Sequence, residues 1–72
     1  TIGCMEMFSI FVKEHGEPDE VCEEVFHSED WESAERRAAR WVSERRSNPA
    51  FEWAELRSEE ARRTAHWGPE HK

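Results

Sequence analysis

Cysteine and histidine are the residues of this chain most able to hold a metal ion, since sulfur and imidazole nitrogen both bind transition metals. Cys22 and His27 lie five residues apart, as do His66 and His71. Structural zinc sites usually include a tighter pair such as CxxC, which Cys4 and Cys22 do not form. The spacing therefore predicts a strand cysteine and surface histidines, with no metal site and no cofactor.

Carboxylates could act as general acids or bases, and Glu23 and Glu24 lie in a segment that favours a strand. A carboxylate there could be buried beside the neighbouring valines, or it could lie in water at the edge of a sheet. The sequence has no Ser-His-Asp signature, no HExxH motif and no glycine-rich phosphate loop. A chain of 72 residues also has little room for a deep substrate pocket. We therefore expect that the protein is not an enzyme.

Charge is divided unevenly between the two halves of the chain. Residues 1–35 carry eleven acids and one base, residues 36–72 carry nine bases and six acids, and the net charge is −7. Such an acidic half attracts basic partners, and clustered carboxylates can imitate a phosphate backbone. The alternative is that the acids only keep a small aromatic-rich domain from aggregating. Six residues form the candidate acidic binding surface: Glu14, Glu17, Asp19, Glu20, Glu23 and Glu24.

A basic stripe lies on a predicted helix. Arg36, Arg37 and Arg40 could contact the phosphates of a nucleic acid. Glu32 precedes Arg36 by four residues, a spacing that favours an ion pair within the helix. Because the net charge is −7, we expect a solvated helix with internal ion pairs and keep nucleic-acid binding as an alternative.

Length and composition predict one small folded domain. A chain of 72 residues has a marginal core, but four tryptophans and four phenylalanines argue against disorder. No apolar run approaches the ~20 residues of a membrane-spanning helix, and we expect unpaired cysteines in the reducing cytoplasm. Met5 or Met7 could be the native start, so we assign residues 1–4 to a non-native extension, 5–67 to the domain and 68–72 to a tail.

Alternating apolar residues predict two antiparallel strands over residues 5–13 and 21–28. The segment between them contains Gly16 and Pro18, which favour a turn. Apolar residues then meet on both faces in four predicted pairs: Val12 with Val21, Phe11 with Cys22, Phe8 with Val25 and Met7 with Phe26.

An amphipathic helix is predicted over residues 29–46. Its apolar stripe follows the 3.6-residue period and consists of Trp31, Ala34, Ala38, Trp41 and Val42. Ser28 is the predicted N-cap, and the Asn48-Pro49 dipeptide ends the helix.

Residues 50–67 fit either a second helix or a hairpin with its turn at 58–60. The hairpin pairs aromatic residues across the strands, with Phe51 opposite Trp67, and we favour it for that reason. The expected fold is α+β, with a four-stranded antiparallel sheet and one helix packed on one face in the order β-β-α-β-β. The order β-β-α-α is the alternative.

The predicted helix covers one face of the sheet and leaves the other face open. The strand residues predicted in the core are Phe8, Ile10, Val12, Val21, Val25, Phe51, Trp53 and Trp67. The apolar strip predicted on the open face consists of Met7, Phe11, Cys22, Phe26, Ala54 and Leu56. Exposed apolar strips usually mark protein contacts, so a partner or a second copy of the chain is expected to bind there.

In this order of elements the chain resembles small accessory proteins of bacteria and phages, including some anti-CRISPR inhibitors. The resemblance is architectural and covers the segments 8–13, 21–28, 31–44 and 51–67. It implies a compact inhibitor or adaptor that occupies the surface of a partner, and it assigns no functional residue.

These observations lead to one main hypothesis and two alternatives. The main hypothesis is a non-enzymatic protein-interaction module that occupies a partner's basic, nucleic-acid-binding surface. The first alternative is a structural homodimer or assembly subunit, and the second is weak nucleic-acid binding through the arginine stripe. No membrane partner is expected.

Overall fold

The computed structural model describes residues 5–58, 60 and 62–68. Four strands and one helix follow each other as β1 (Glu6–Glu14), β2 (Val21–Ser28), α1 (Trp31–Arg45), β3 (Phe51–Ser58) and β4 (Arg63–Trp67). The strands form one antiparallel sheet in the order β2-β1-β3-β4, and α1 packs on one face against β2, β3 and β4. The predicted α+β fold is confirmed, and β3 and β4 form the predicted hairpin in place of a second helix.

The core lies between α1 and the covered face of the sheet. Nine apolar residues are buried there: Phe8, Ile10, Val12, Phe26, Ala34, Ala38, Val42, Ala54 and Leu56. Trp31, Trp41, Phe51 and Trp67 are partly buried around this cluster. The predicted β1 residues and the three small residues of the predicted helix stripe are therefore in the core, and the two tryptophans of that stripe pack against it.

The helix begins later than its sequence predicts. Asp30, not Ser28, is the N-cap, and its Oδ1 accepts a hydrogen bond from the backbone N–H of Ser33 at 2.8 Å. This bond lowers the pKa of Asp30 below its usual value, because it favours the charged carboxylate. Ser28 is instead the last residue of β2, where it is buried opposite Glu6.

A β-bulge in β2 shifts the pairing of β1 with β2. Phe11 pairs with Cys22 as predicted, but Ile10 pairs with Glu24, so Glu23 is an extra residue. Beyond the bulge, Phe8 therefore lies opposite Phe26 rather than opposite Val25. A shift of one residue moves side chains to the other face of a sheet.

The β2 bulge exchanges the faces predicted for Val25 and Phe26, whereas Val21 keeps its predicted partner Val12 but is exposed instead of buried. Phe26 is in the core and only 5% exposed, whereas Val21 and Val25 are 53% and 52% exposed. Val25 pairs with Ser9 and faces away from the helix, and Val21 pairs with the core residue Val12 at the start of the edge strand. The two valines therefore lie on opposite faces of the sheet.

A second bulge, in β3, places the residues that follow it on the face of the sheet opposite to the predicted one. Lys13 pairs with Trp53 and Glu14 with Phe51, so Glu52 is the extra residue. Phe51 thus packs on the helix side, as predicted, but Trp53 points to the other face. Ala54 and Leu56 are consequently in the core, where the sequence predicts them on the open face.

The β3–β4 hairpin has a longer connection than predicted. Ser58 pairs with Arg63 and Ala54 with Trp67, which displaces the predicted register by three residues. Arg62, in this connection, has a φ of 52°, which belongs to the left-handed region that non-glycine residues seldom adopt. The predicted pairing of Phe51 with Trp67 is therefore wrong.

Gly68 is the last described residue and packs against β3. Its φ is 136°, and a Cβ at this position would lie 2.7 Å from Cβ of Trp53 and 2.9 Å from the backbone oxygen of Glu52. The first residue of the predicted tail is thus packed, and residues 1–4 and 69–72 lie outside the described residues. No helix in the described segments is long and apolar enough to cross a membrane.

Candidate binding surface on the open sheet face

The face of the sheet away from α1 is called the open face here. Strand register places these residues on it: Met7, Ser9, Phe11 and Lys13 of β1, Cys22, Val25 and His27 of β2, Trp53, Glu55 and Arg57 of β3, and Thr64 and His66 of β4. No described helix or strand covers this face. It combines aromatic rings with charged side chains and is less apolar than the sequence predicts.

Arg57 occupies the middle of the open face. Its guanidinium carbon lies 4.1 Å from the centre of the Phe11 ring, within the range of a cation–π interaction. Its Nη2 donates to Glu20 Oε2 at 2.9 Å, and its Nε donates to Glu55 Oε1 at 2.8 Å. The side chain is therefore fixed on three sides while about a third of its surface stays exposed.

Of the two acids that Arg57 contacts, Glu20 is the more distant along the chain. The hydrogen bond from Arg57 holds the pKa of Glu20 below its usual value, because the bond and the positive charge favour the carboxylate. Glu20 precedes β2, so Arg57 of β3 reaches across β1 to contact it. This contact connects three strands of the sheet on the open face.

A second aromatic contact lies beside the arginine. The rings of Trp53 and His66 are 5.3 Å apart at their centres and tilted by 32°. His66 Nδ1 lies 3.6 Å from Glu55 Oε2, while the other oxygen of Glu55 accepts the bond from Arg57. Glu55 therefore joins the two aromatic contacts.

Lys13 continues the same pattern toward the β3 bulge. Its ammonium group donates to Glu52 Oε1 at 2.8 Å. The two permanent cations of the open face, Lys13 and Arg57, are thus both paired with carboxylates. The face presents ordered rings and largely neutralised charge, flanked by Met7 and Val25, which are 36% and 52% exposed.

The predicted apolar strip is only partly present on this face. Met7, Phe11 and Cys22 lie there, whereas Phe26 and Leu56 are in the core for the reasons given by the two bulges. Sequence reasoning missed Trp53, Glu55, Arg57 and His66. Trp53, Glu55 and Arg57 alternate along β3, so the sequence indicates that they share one face of the sheet. Which face they share depends on the bulge at Glu52, which the sequence does not reveal.

The six predicted acidic residues do not form one surface. Glu20 is bonded to Arg57 on the open face, while Glu17 and Asp19 are exposed in the turn after β1. On the helix side, Glu14 and Glu23 line a depression with Trp41 and Arg45, and Glu24 lines another with Arg37 and Arg40. The structure therefore separates the predicted acidic surface into three parts.

Cys22 is an exposed free thiol, and Cys4 lies outside the described residues. Within the described ranges, no three His, Cys, Asp or Glu side chains come together as metal ligands. Comparisons of the chain with protein-family models, with curated proteins and with solved structures give no match.

Proposed function

We propose that the protein is a small, non-enzymatic protein-interaction module that binds a basic protein through its open face. The observation that supports this most strongly is the position of Arg57 over Phe11, held by Glu20 and Glu55. Aromatic and arginine side chains are enriched at protein interfaces, and arginine is enriched among the few residues that contribute most of the binding energy. A side chain ordered before binding loses less conformational entropy when the complex forms.

Exposed apolar side chains beside the arginine support the same surface. Val25 is 52% exposed at the centre of edge strand β2, and Met7 is 36% exposed on the neighbouring strand. Trp53 and Phe11 add half-buried rings to this area. A partner that covered the face would remove this apolar surface from water, which is the main favourable contribution to association.

Charge supports a basic partner. The cations of the open face are already bonded to Glu20, Glu52 and Glu55, so they are not available to an acidic partner. The adjoining turn exposes Glu17 and Asp19, and the chain has a net charge of −7. Binding to a basic protein is then accelerated by long-range attraction and weakens as salt is added.

The resemblance to small phage and bacterial accessory proteins extends the proposal to an inhibitor or adaptor. Such a module occupies the basic, nucleic-acid-binding surface of its target and so prevents access to it. It acts in the cytoplasm, where the exposed thiol of Cys22 remains reduced.

Footprinting of the bound protein tests the proposal. The tagged protein is used to capture partners from nuclease-treated lysate, and the protein retained is then purified and combined with it. Hydroxyl-radical labelling of the free and bound forms reports which side chains become protected. We expect protection at Met7 and Trp53, with Trp41 on the helix side unchanged.

Two results would contradict the proposal. Protection of Trp41 with Met7 and Trp53 unchanged would place the partner on the helix side. A dimer in sedimentation equilibrium that protects Met7 and Trp53 by itself would identify a second copy of the chain as the occupant, in favour of the homodimer alternative.

A further inference from the structure

A depression on the outer surface of α1 is lined by Ser33 and by the three residues of the arginine stripe, Arg36, Arg37 and Arg40. Ser33 lies three and four residues before Arg36 and Arg37, and these lie four and three residues before Arg40. Residues at these spacings are neighbours on a helix surface. Three arginine side chains therefore line one depression together with the short side chain of Ser33.

The three arginines of the stripe have no carboxylate partner among the described residues. Within those residues, every ion pair made by an arginine belongs to Arg57. The expected pair between Glu32 and Arg36 is therefore not formed within 4.0 Å. Arg40 lies four residues after Arg36 and three after Arg37, so like charges are neighbours on the helix surface and repel one another. An anionic ligand would relieve this repulsion.

Arg37 is held in place by the core. Its guanidinium carbon lies 4.4 Å from the centre of the Phe26 ring, which is buried against Phe8. This contact fixes the planar guanidinium at the edge of the depression. A fixed guanidinium can donate two parallel hydrogen bonds to a phosphate, which makes it a better phosphate ligand than a mobile one.

Carboxylates flank the stripe on both sides and limit the size of the ligand. Glu32 and Glu35 share a neighbouring depression with Arg36, and Glu24 and Glu44 share another with Arg37 and Arg40. A long polyanion such as a nucleic acid would have to pass these carboxylates, which repel it. A compact dianion placed between them would meet the three arginines and Ser33 without passing these carboxylates.

We propose that the arginine stripe binds a single phosphoryl dianion, as a free phosphate ester or as the phosphorylated side chain of a protein. Arg36, Arg37 and Arg40 provide the charge-assisted hydrogen bonds. The site is on the helix side, opposite to the open face, so it can be occupied independently of the proposed partner.

Titration of the whole protein with inorganic phosphate tests this site. The Nε–Hε resonances of the arginines are followed by NMR at pH 7.5, and sodium chloride keeps the ionic strength constant. We expect saturable shifts in the millimolar range at Arg36, Arg37 and Arg40, and none at Arg46. A phosphoserine peptide, compared with its unphosphorylated form, distinguishes the two sources of the phosphoryl group by binding tighter than phosphate or equally.

Matched variants identify the residues that bind. Arg40→Gln is expected to weaken phosphate binding at least about fivefold, whereas Arg46→Gln makes the same charge change at the end of α1 and should leave it unchanged. Equal shifts in phosphate and in chloride, or equal effects of the two variants, would overturn the proposal. Tighter binding of a single-stranded oligonucleotide than of phosphate, lost in Arg40→Gln, would overturn it in favour of nucleic-acid binding.

Discussion

The guanidinium of Arg57 lies 4.1 Å from the centre of the Phe11 ring and extends across β1 to hydrogen-bond Glu20. Arg57 and Glu20 are 37 residues apart in the chain, and their contact joins the β1–β2 hairpin to the β3–β4 hairpin. The contact therefore contributes to the arrangement of the sheet and also fixes the middle of the open face.

Replacement of Arg57 tests the contribution of its planar group. Arg57→Lys keeps the charge but cannot donate to both carboxylates in the same plane or stack on Phe11 in the same way. Because the side chain is about a third exposed, we expect a loss of only about 1 kcal/mol in the free energy of unfolding. Urea denaturation measures it, and Arg46→Lys is the matched control. An equal effect of the two substitutions would contradict the role assigned to Arg57.

The lowered pKa of Glu20 predicts a specific acid sensitivity. A carboxyl group with a lowered pKa in the folded state stabilises the fold at pH values above its ordinary value of 4.5. That contribution is lost as the pH falls below 4.5 and through the lowered pKa of the folded protein. Glu20→Gln should therefore lose less stability than the unmodified protein between neutral and acidic pH.

Glu17→Gln is the control for the acid experiment. Glu17 is exposed and its carboxylate makes no ion pair with the described residues, so its replacement should not alter the acid-induced loss. Asp30, whose pKa is also lowered, is present in both variants and cancels in the comparison. Thermal denaturation at a series of pH values gives the result. Parallel curves for Glu20→Gln and Glu17→Gln would disprove the prediction.

Truncation of two neighbouring residues of β2 should lower the free energy of unfolding by very different amounts. Phe26 is 5% exposed and stacks on Phe8, so Phe26→Ala is expected to cost about 3 kcal/mol of unfolding free energy. Val25 is 52% exposed on the open face, and Val25→Ala should cost less than about 0.5 kcal/mol. Chemical denaturation of the two variants checks the register beyond the bulge. Similar losses for the two variants, or a larger loss for Val25→Ala, would contradict the bulge and support the pairing of Phe8 with Val25.

Gly68 and Gly16 should tolerate a methyl group unequally. Both have a positive φ, but a Cβ at Gly16 meets nothing within 4 Å, whereas at Gly68 it meets Trp53 at 2.7 Å. We expect Gly16→Ala to cost about 1 kcal/mol from the backbone conformation alone. Gly68→Ala should cost at least about 2 kcal/mol, because the strand must also move away from Trp53. Thermal melting of the two variants compares them, and a smaller shift for Gly68→Ala would refute the close contact.

Periodicity was sufficient to predict β1, β2 and α1, since Phe8, Ile10 and Val12 alternate onto one face of β1 and α1 carries an apolar stripe at the helical period. It left residues 50–67 open between a helix and a hairpin, and cross-strand pairs favoured the hairpin. It was not sufficient to predict the faces of β2 and β3. Glu23 and Glu52 are the extra residues of two bulges, and nothing in their residue type or neighbours identifies them as such. Each bulge reverses the faces of the residues that follow it.

The consequences for the candidate site follow from these two positions. The bulge at Glu23 moves Phe26 into the core and Val25 out of it. The bulge at Glu52 moves Trp53 to the open face and Leu56 into the core. The Arg57–Glu20 bond depends on strand order, which pairing of adjacent hairpins alone does not determine.

The most direct test of the open face uses Val21 and Val25. These residues have the same type, lie on the same strand and are 53% and 52% exposed, but they point to opposite faces of the sheet. Val21→Glu and Val25→Glu add the same charge, so any general electrostatic effect on a basic partner is equal in both. Circular dichroism confirms that each variant is folded before use.

Isothermal titration of the purified partner with the two variants gives the decisive comparison. We predict that Val25→Glu weakens binding at least about tenfold, because a charge then replaces an apolar side chain that the partner covers and must lose its water on binding. Val21→Glu should remain within about twofold of the unmodified protein, as expected for a site outside the interface. Equal affinities for the two variants, or a larger loss with Val21→Glu, would contradict the claim that the open face is the binding surface.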